Sequence, residues 1–338
     1  MSNEVDISEN ELLEAHPSVF QKLLFDHTTR KNIFWATDSY VDLGEGYQPH
    51  DEITIPKITG EHGLVLRPRA IKSREEQTKR SRDMAEVFTS SWTCNAQNNL
   101  VDDAWFGRKH VFNTEMTDAE GNHTWIPTEG KIVFPEGDKE KTWQKYVSSN
   151  VIEVTCGEGP YLVSRYDTVT GEPIPVKRRI GLLDRKLRIV SENTETTGDW
   201  LKQAQKAFMA TYGFEWQGDN LLLAREAMFF SFIDYYKDKF GKLPSEASME
   251  YIAYIISWNL WQMDGLKGVV PDSCKNGVKK TVADLFGAHE ETIHCEGCEK
   301  NDILRHNGIY CLVREWGHRD PKTKENNRKT RFIDLIKP

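Results

Sequence analysis

Apolar residues recur at helical spacing in ENELLEAHPSVFQKLL near the N-terminus, then give way to turn-rich stretches such as DLGEGYQPHDE. The first 84 residues are read as an N-terminal subdomain of helical and irregular structure. From Ser73 to about Asn99, charge and spacing predict a helix, a break near Phe88–Ser91 and a second helix, WTCNAQNNLVDDAWF. Two loop-rich stretches follow, TDAEGNHTWIPTEG and FPEGDKEK. A more regular order begins at Val151. VIEVTC reads as a buried strand, GEG as a turn, and PYLVSRYD as the start of a helix.

Beyond the turn, TGEPIPVKRRIGLLDRKLRIVSEN holds turn residues and then a helical pattern, and GDWLKQAQKAFMATYG is amphipathic. A short strand is expected at FEWQGDN or just before it. LLLAREAMFFSFIDYYKDKFGKLP is a long helix that Gly241 and Pro244 bring to an end. MEYIAYIISWNLWQMDGL continues as helix and then strand, running into a turn at Asp264–Gly265. Strand and helix alternate from about 150 to 266, which predicts an α/β fold with an open, mostly parallel sheet. Residues 85–270 form that core in this reading, and 271–338 a C-terminal extension.

Composition narrows the classes. No apolar run approaches the roughly 18–20 residues of a membrane span, and MSNEVDISENELLEAH is acidic rather than signal-like, so a cytoplasmic protein with no membrane partner is expected. The formal net charge of −8 means that a nucleic acid would have to meet a local basic patch. Lys72–Arg82 and Arg319–Arg331 qualify, although each also carries Glu or Asp, as solvated charged faces do.

In an open α/β sheet, ligands sit beyond the carboxyl ends of the strands. The turn Gly157-Glu158-Gly159 removes two side chains there, so backbone can approach a ligand closely. Glu215 stands at the end of the second candidate strand, where a carboxylate can accept both hydroxyl hydrogens of a ribose. Asp264 stands at the end of the third, where a carboxylate could accept from an adenine amine. The turn lacks both the third glycine of a dinucleotide fingerprint and the Gly-Lys-Ser/Thr of a phosphate loop. A nucleoside without a phosphate chain fits better.

These residues carry a resemblance. EVTCGEG at 153–159 resembles the S-adenosylmethionine (AdoMet) motif DPACGSG of the N6-adenine DNA methyltransferases, the M subunits of restriction-modification systems. AEVFTSSWTCNAQNNL at 85–100 is similar to that family's upstream FTP motif, YGFEWQGDNLLLARE to its ribose motif and WQMDGL to the motif after it. The resemblance implies a Rossmann-like methyltransferase fold, AdoMet as cofactor and DNA as substrate. It places Phe88 and Thr89 at the methionyl end, and Glu153, Cys156, Gly157 and Gly159 in the first loop. Glu215 and Trp216 fall at the ribose and Asp264 at the adenine amine. Glu153 stands where the family usually has Asp, Thr155 where a small residue is common, and Ser90 where FTP has its proline.

The family holds its flipped target adenine with an Asn/Asp/Ser-Pro-Pro-aromatic motif. No such tetrapeptide occurs in this chain. The nearest positional candidates are Glu315 and Trp316 in IYCLVREW, at the end of an expected fourth strand. The stretch after Asp264 is short for the remaining strands and a recognition domain. That half is expected to be missing, rebuilt or supplied by another chain, whether a partner subunit or a second copy. The function classes are then an adenine methyltransferase, a non-catalytic AdoMet- or DNA-binding subunit, regulator or anti-restriction protein of a phage or mobile element, and another AdoMet enzyme on the same cofactor half.

The last quarter of the chain contains four of the six cysteines. In a cytoplasmic chain such crowding favours metal or packing over disulfides. HCEGCEKNDILRHNGIYC spaces Cys295 and Cys298 as a C-x2-C pair, with His306 and Cys311 to complete a tetrahedral zinc site. His294 is the rival fourth ligand. Zinc here would stabilise a segment too small to have its own core.

Overall fold

The computed structural model describes residues 8–84, 89–284, 287–321 and 323–336. Helices α1 (Glu9–Ala15) and α2 (Pro17–Leu24) open the chain, followed, after a turn-rich stretch, by α3 (Arg74–Met84) and α4 (Ser91–Phe106). Strand β1 (Val151–Val154), helices α5 (Leu182–Asn193) and α6 (Thr197–Met209), and β2 (Thr211–Glu215) come next. The long α7 (Gly218–Phe240) leads to α8 (Glu246–Asn259) and β3 (Leu260–Gln262). The C-terminal part holds the hairpin β4 (Val278–Asp284) and β5 (Gly287–Ile293), the short α9 (Glu296–Lys300), and the hairpin β6 (Leu312–Arg319) and β7 (Asn326–Arg331).

The architecture is mixed α/β with small sheets, of which one is parallel. It holds three strands in the order β1-β2-β3, with Val151 opposite Thr211 and Gly213 opposite Leu260. Buried polar side chains set the starts of these strands. Lys186 of α5 donates to the carbonyls of Ser149 and Ala210, and Asn259 to those of Phe208, Met209 and Thr211. Arg225 of α7, wholly buried, donates to Leu23, Phe25, Ser257 and Leu260.

One hydrophobic cluster contains Leu12, Phe20, Trp35 and Ile53 together with Trp200, Phe229, Ile256 and Leu260. The N-terminal segment and the sheet-forming segment therefore share a core. Helix α2 packs on α8, with His16–Glu246 and Lys22–Glu250 pairs each at 3.0 Å and the His27 ring stacked on Trp258.

Three local expectations need correction. VIEV is an edge strand rather than a buried one, since Ile152 is 45% and Val154 62% exposed. PYLVSRYD is not a helix start. Its Tyr161 and Leu162 carbonyls accept from the Leu182 and Leu183 amides, Asp167 at its end accepts from the amides of Ser91, Val169 and Thr170, and the next α-helix begins at Leu182. The expected fourth strand pairs antiparallel with β7, outside the parallel sheet. Its Val313 joins Phe214 and Trp261 in a second apolar cluster. Among the described residues no helix is long and apolar enough to cross a membrane.

Candidate functional site

The chain leaves β1 through a tight turn in which the Gly159 amide donates to the Cys156 carbonyl at 2.7 Å. Gly157 (φ +53°) and Gly159 (φ +75°) are left-handed, and a Cβ on Gly157 would project into open space. Thr155 also has positive φ, +49°, which is a strained conformation for a β-branched residue. Such strain concentrates at binding and catalytic loops.

The turn meets the second strand directly. Glu215 accepts from the Gly157 amide at 2.8 Å through Oε2 and from the Gln217 amide at 3.1 Å through Oε1. Burial pushes its carboxyl above the usual range, against the opposing effect of these amides. Glu153, pointing back from β1, faces the amides of Tyr161 and Leu162, yet its buried Oε2 has no hydrogen-bond partner among the described residues. Burial, with the neighbouring Glu215 adding to it, raises Glu153 well above the ordinary carboxylate value. The Cys156 thiol is also pushed well up by burial, which leaves it a packing group rather than a nucleophile.

The other residues expected around the glycine turn are placed as follows. The Thr89 carbonyl accepts from the Thr168 hydroxyl at 2.8 Å, joining the start of α4 to the loop that follows the glycine turn. Phe88 lies outside the described residues. The Trp216 indole donates to the Ala36 carbonyl, so it leans on the N-terminal segment. Asp264 sits at the end of β3, but its carboxylate is committed to its own turn. Oδ1 accepts from the Leu266 and Lys267 amides, and Oδ2 lies 3.1 Å from the Lys267 ammonium.

The basic stretch Lys72–Arg82 is not simply solvated. Arg80 is buried against Asp219 at 2.8 Å, at the first turn of α7, and also donates to Gln217. Burial alone would raise Asp219; Arg80 and Lys72 override it and hold the carboxyl below the usual range. Arg69 donates its amide to Glu158 inside the glycine turn. This segment therefore closes over the strand ends, a contact that composition alone could not reveal.

In the C-terminal part, Cys274, Cys295, Cys298 and His306 come together, with their ligand atoms all within 4.8 Å of one another. Cys274 Sγ lies 3.3 Å from Cys295 Sγ, 3.5 Å from Cys298 Sγ and 3.5 Å from His306 Nδ1. The other two thiols are each 3.6 Å from the same nitrogen. This Cys3His set could hold one metal ion. Cys311 is not part of it: its buried thiol donates to the Gln262 carbonyl, and Cys274 takes the fourth position. His294 points away and pairs with Glu299. Gly297 is required between the thiols, because a Cβ there would lie 2.7 Å from His306 Nδ1.

Glu315 and Trp316 do not face the glycine turn as a target-holding pair. Trp316 donates its indole N–H to Asn259 at 2.7 Å, and Glu315 pairs with His318 and Arg328 along the β6–β7 hairpin. No protein family, curated protein or solved structure matches this chain.

Proposed function

We propose that the chain is an AdoMet-binding protein of the DNA adenine methyltransferase type. The observation that carries this reading is the hydrogen bond from the Gly157 amide to Glu215, which joins the glycine turn of β1 to the carboxylate ending β2. The orphaned Glu153 oxygen beside it supports a cationic ligand. Both carboxyl groups are pushed toward their neutral forms by burial, and an ammonium or sulfonium would hold them ionised. AdoMet carries both cations and a nucleoside, and when bound it supplies an electrophilic methyl group. In this reading Glu153 receives the ammonium, Gly157 and Gly159 give the ligand room, and Glu215 faces the ribose while fixing the turn. Asp264 acts from within its own turn.

The open edge of β1 favours a second reading, in which the chain is a non-catalytic AdoMet- or DNA-binding subunit or regulator. A doubly wound sheet places strands on both sides of its glycine-turn strand, and its ligand lies where the order reverses. Here that side carries no strand among the described residues. The parts that hold a target base would then belong to another chain.

The same reading places zinc in the Cys3His cluster. Bonds of about 2.3 Å to sulfur and 2.0–2.1 Å to nitrogen give a tetrahedron with edges of roughly 3.6–3.8 Å. The spacings of 3.3–3.6 Å are close to this and far longer than a disulfide bond of about 2.0 Å. Four protein ligands make a closed, structural site.

Calorimetry with AdoMet and its demethylated product tests the cofactor. A cation requires ionised Glu153, so affinity should rise as pH increases through that ionisation and then level off. Glu153→Gln should remove the larger part of the rise, leaving the part due to Glu215, and weaken binding by about 1–3 kcal/mol at the plateau. Absence of binding at millimolar AdoMet would remove the reading. Labelled methyl transfer to unmethylated duplex DNA separates the enzyme from the subunit.

A further inference from the structure

Between the metal cluster and the Asp264 turn runs a narrow two-stranded ribbon. The Val270 amide donates to Ile309, the Cys311 amide to Gly268, and Val269 bridges Tyr310. The Ser273 hydroxyl accepts from the Ile309 amide and donates to the Val270 carbonyl. At one end of the ribbon stand two ligands, Cys274 and His306. The His306 amide donates to the Tyr310 hydroxyl at 2.7 Å, and Asn307 clamps the backbone of Lys275 through both ends of its amide. At the other end, the Asp264 amide donates to Val269 at 2.8 Å and the Gly268 amide to Asp264.

A cation stands beside the Asp264 turn on the cluster's side. The Lys267 ammonium contacts Asp264 and lies within the field of Cys274 and Cys298. Zinc with three thiolates and a neutral imidazole carries a net charge of about −1, which this ammonium offsets. Removing the ion would leave three sulfurs within van der Waals range of one another and free the ribbon at its clamped end. Val269, Val270 and Cys311 are buried, and Val270 and Cys311 join the apolar cluster around Phe214 and Trp261, whereas Leu266 is 90% and Ile309 53% exposed. The Leu266 turn and the ligand end lie outside that cluster, where a metal clamp adds order.

We propose that metal loading of the Cys274–Cys295–Cys298–His306 cluster sets the order of the turn that carries Asp264, so that the metal site and the strand-end crevice are thermodynamically coupled. This rests on the reading of the cluster as a zinc site. By reciprocity, a ligand that orders the Asp264 turn tightens the hold on the metal by the same factor.

The test uses the full-length, reduced protein, zinc-loaded or stripped with a chelator, and follows amide hydrogen exchange by mass spectrometry. Stripping is expected to speed exchange of the amides from 264 to 271 at least tenfold while those inside α7 stay unchanged, with zinc restoring protection. Metal analysis should find one zinc per chain in the native protein and in Cys311→Ser, and none in Cys274→Ser. His306→Cys keeps four ligands and should retain both metal and protection, which guards against a fold lost for other reasons. A native protein that takes up no zinc overturns the proposal. So does faster exchange confined to 277–293, or metal loss from Cys311→Ser with retention in Cys274→Ser. A zinc-dependent change at 264–271 in a protein that fails to bind AdoMet sustains the coupling and removes only the cofactor reading.

Discussion

Arg225→Met is expected to lower the unfolding free energy by about 3–5 kcal/mol. Arg225 is fully buried in α7 and donates to carbonyls at Leu23 and Phe25 in the N-terminal segment and at Ser257 and Leu260 where α8 passes into β3. These oxygens lie near the end of α2, near the end of α8 and at its switch into β3. Met matches the length of the side chain and fills its space, but it leaves several buried acceptors without donors. Lys would restore the charge and not the fork, because one ammonium cannot span two such separated chain segments. Urea denaturation checks this through a fall in midpoint with little change in slope. A loss below about 1 kcal/mol would mean that water reaches these carbonyls in the variant.

The second large effect is expected at Gly181. An Ala Cβ there would stand 2.3 Å from the Leu162 carbonyl oxygen, 2.5 Å from its carbon and 2.6 Å from Val163 Cα. All three are backbone atoms, so no rotamer change can relieve the clash. The same contact positions the loop after the glycine turn against the start of α5, where the Leu182 and Leu183 amides donate to Tyr161 and Leu162. Asp184 secures the joint by accepting from the Gly181 and Ser164 amides. Gly181→Ala should cost about 3 kcal/mol, at the upper end for an overpacked site. It should also weaken any ligand held by the Gly157–Gly159 turn more than a distant substitution of equal stability cost does. Equal affinities in two such variants would detach this joint from the crevice.

The stretch from Thr197 to Asp264 was legible in the sequence. Helix α6 has a periodic apolar face, α7 is buried on nearly all sides, and explicit stops follow, such as Gly241 in the left-handed cap of α7. Strands β2 and β3 follow directly from the alternation. Helix α4 reverses the usual pattern. Leu100 and Val101 are exposed, while Asn95, Asn98, Asn99 and Asp102 are buried. Asn113, Tyr146 and Arg185 satisfy Asn95, Asn99 and Asp102, and Asn98 donates to the Tyr161 and Ile180 carbonyls; hydropathy contains no trace of those partners. The turns after Pro160 were hidden because the Tyr161 and Leu162 carbonyls, which a helix would use locally, accept instead from the Leu182 and Leu183 amides.

In the metal cluster, Cys295, Cys298 and His306 follow from spacing. Cys274 does not, because the β4–β5 hairpin separates it from Cys295 in sequence and returns it in space. The link is made in the backbone: at the open end of the hairpin the Gly277 amide donates to the Ile293 carbonyl and Asn276 accepts from the Cys295 amide, beside Cys274. At the strand ends the Gly157 amide donates to Glu215, and Glu153, which only the family resemblance singled out, neighbours Glu215. The commitment of Asp264 to its own turn depends on Lys267 and on two local amides, and appears only with the backbone in place.

The seating of α2 on α8 has a consequence for synthesis. His16 waits 230 residues for Glu246, and Arg225 for its carbonyl partner at Leu260. At roughly 5–20 residues per second, the N-terminal helices spend on the order of 10–50 s outside the ribosome before their docking surface emerges. During that interval Phe20, Leu23 and Leu24, all buried in the finished protein, have no final partner. The nascent chain is thus a better client for a holding chaperone than the folded one, and slowing elongation before α8 should lower soluble yield without altering any native contact.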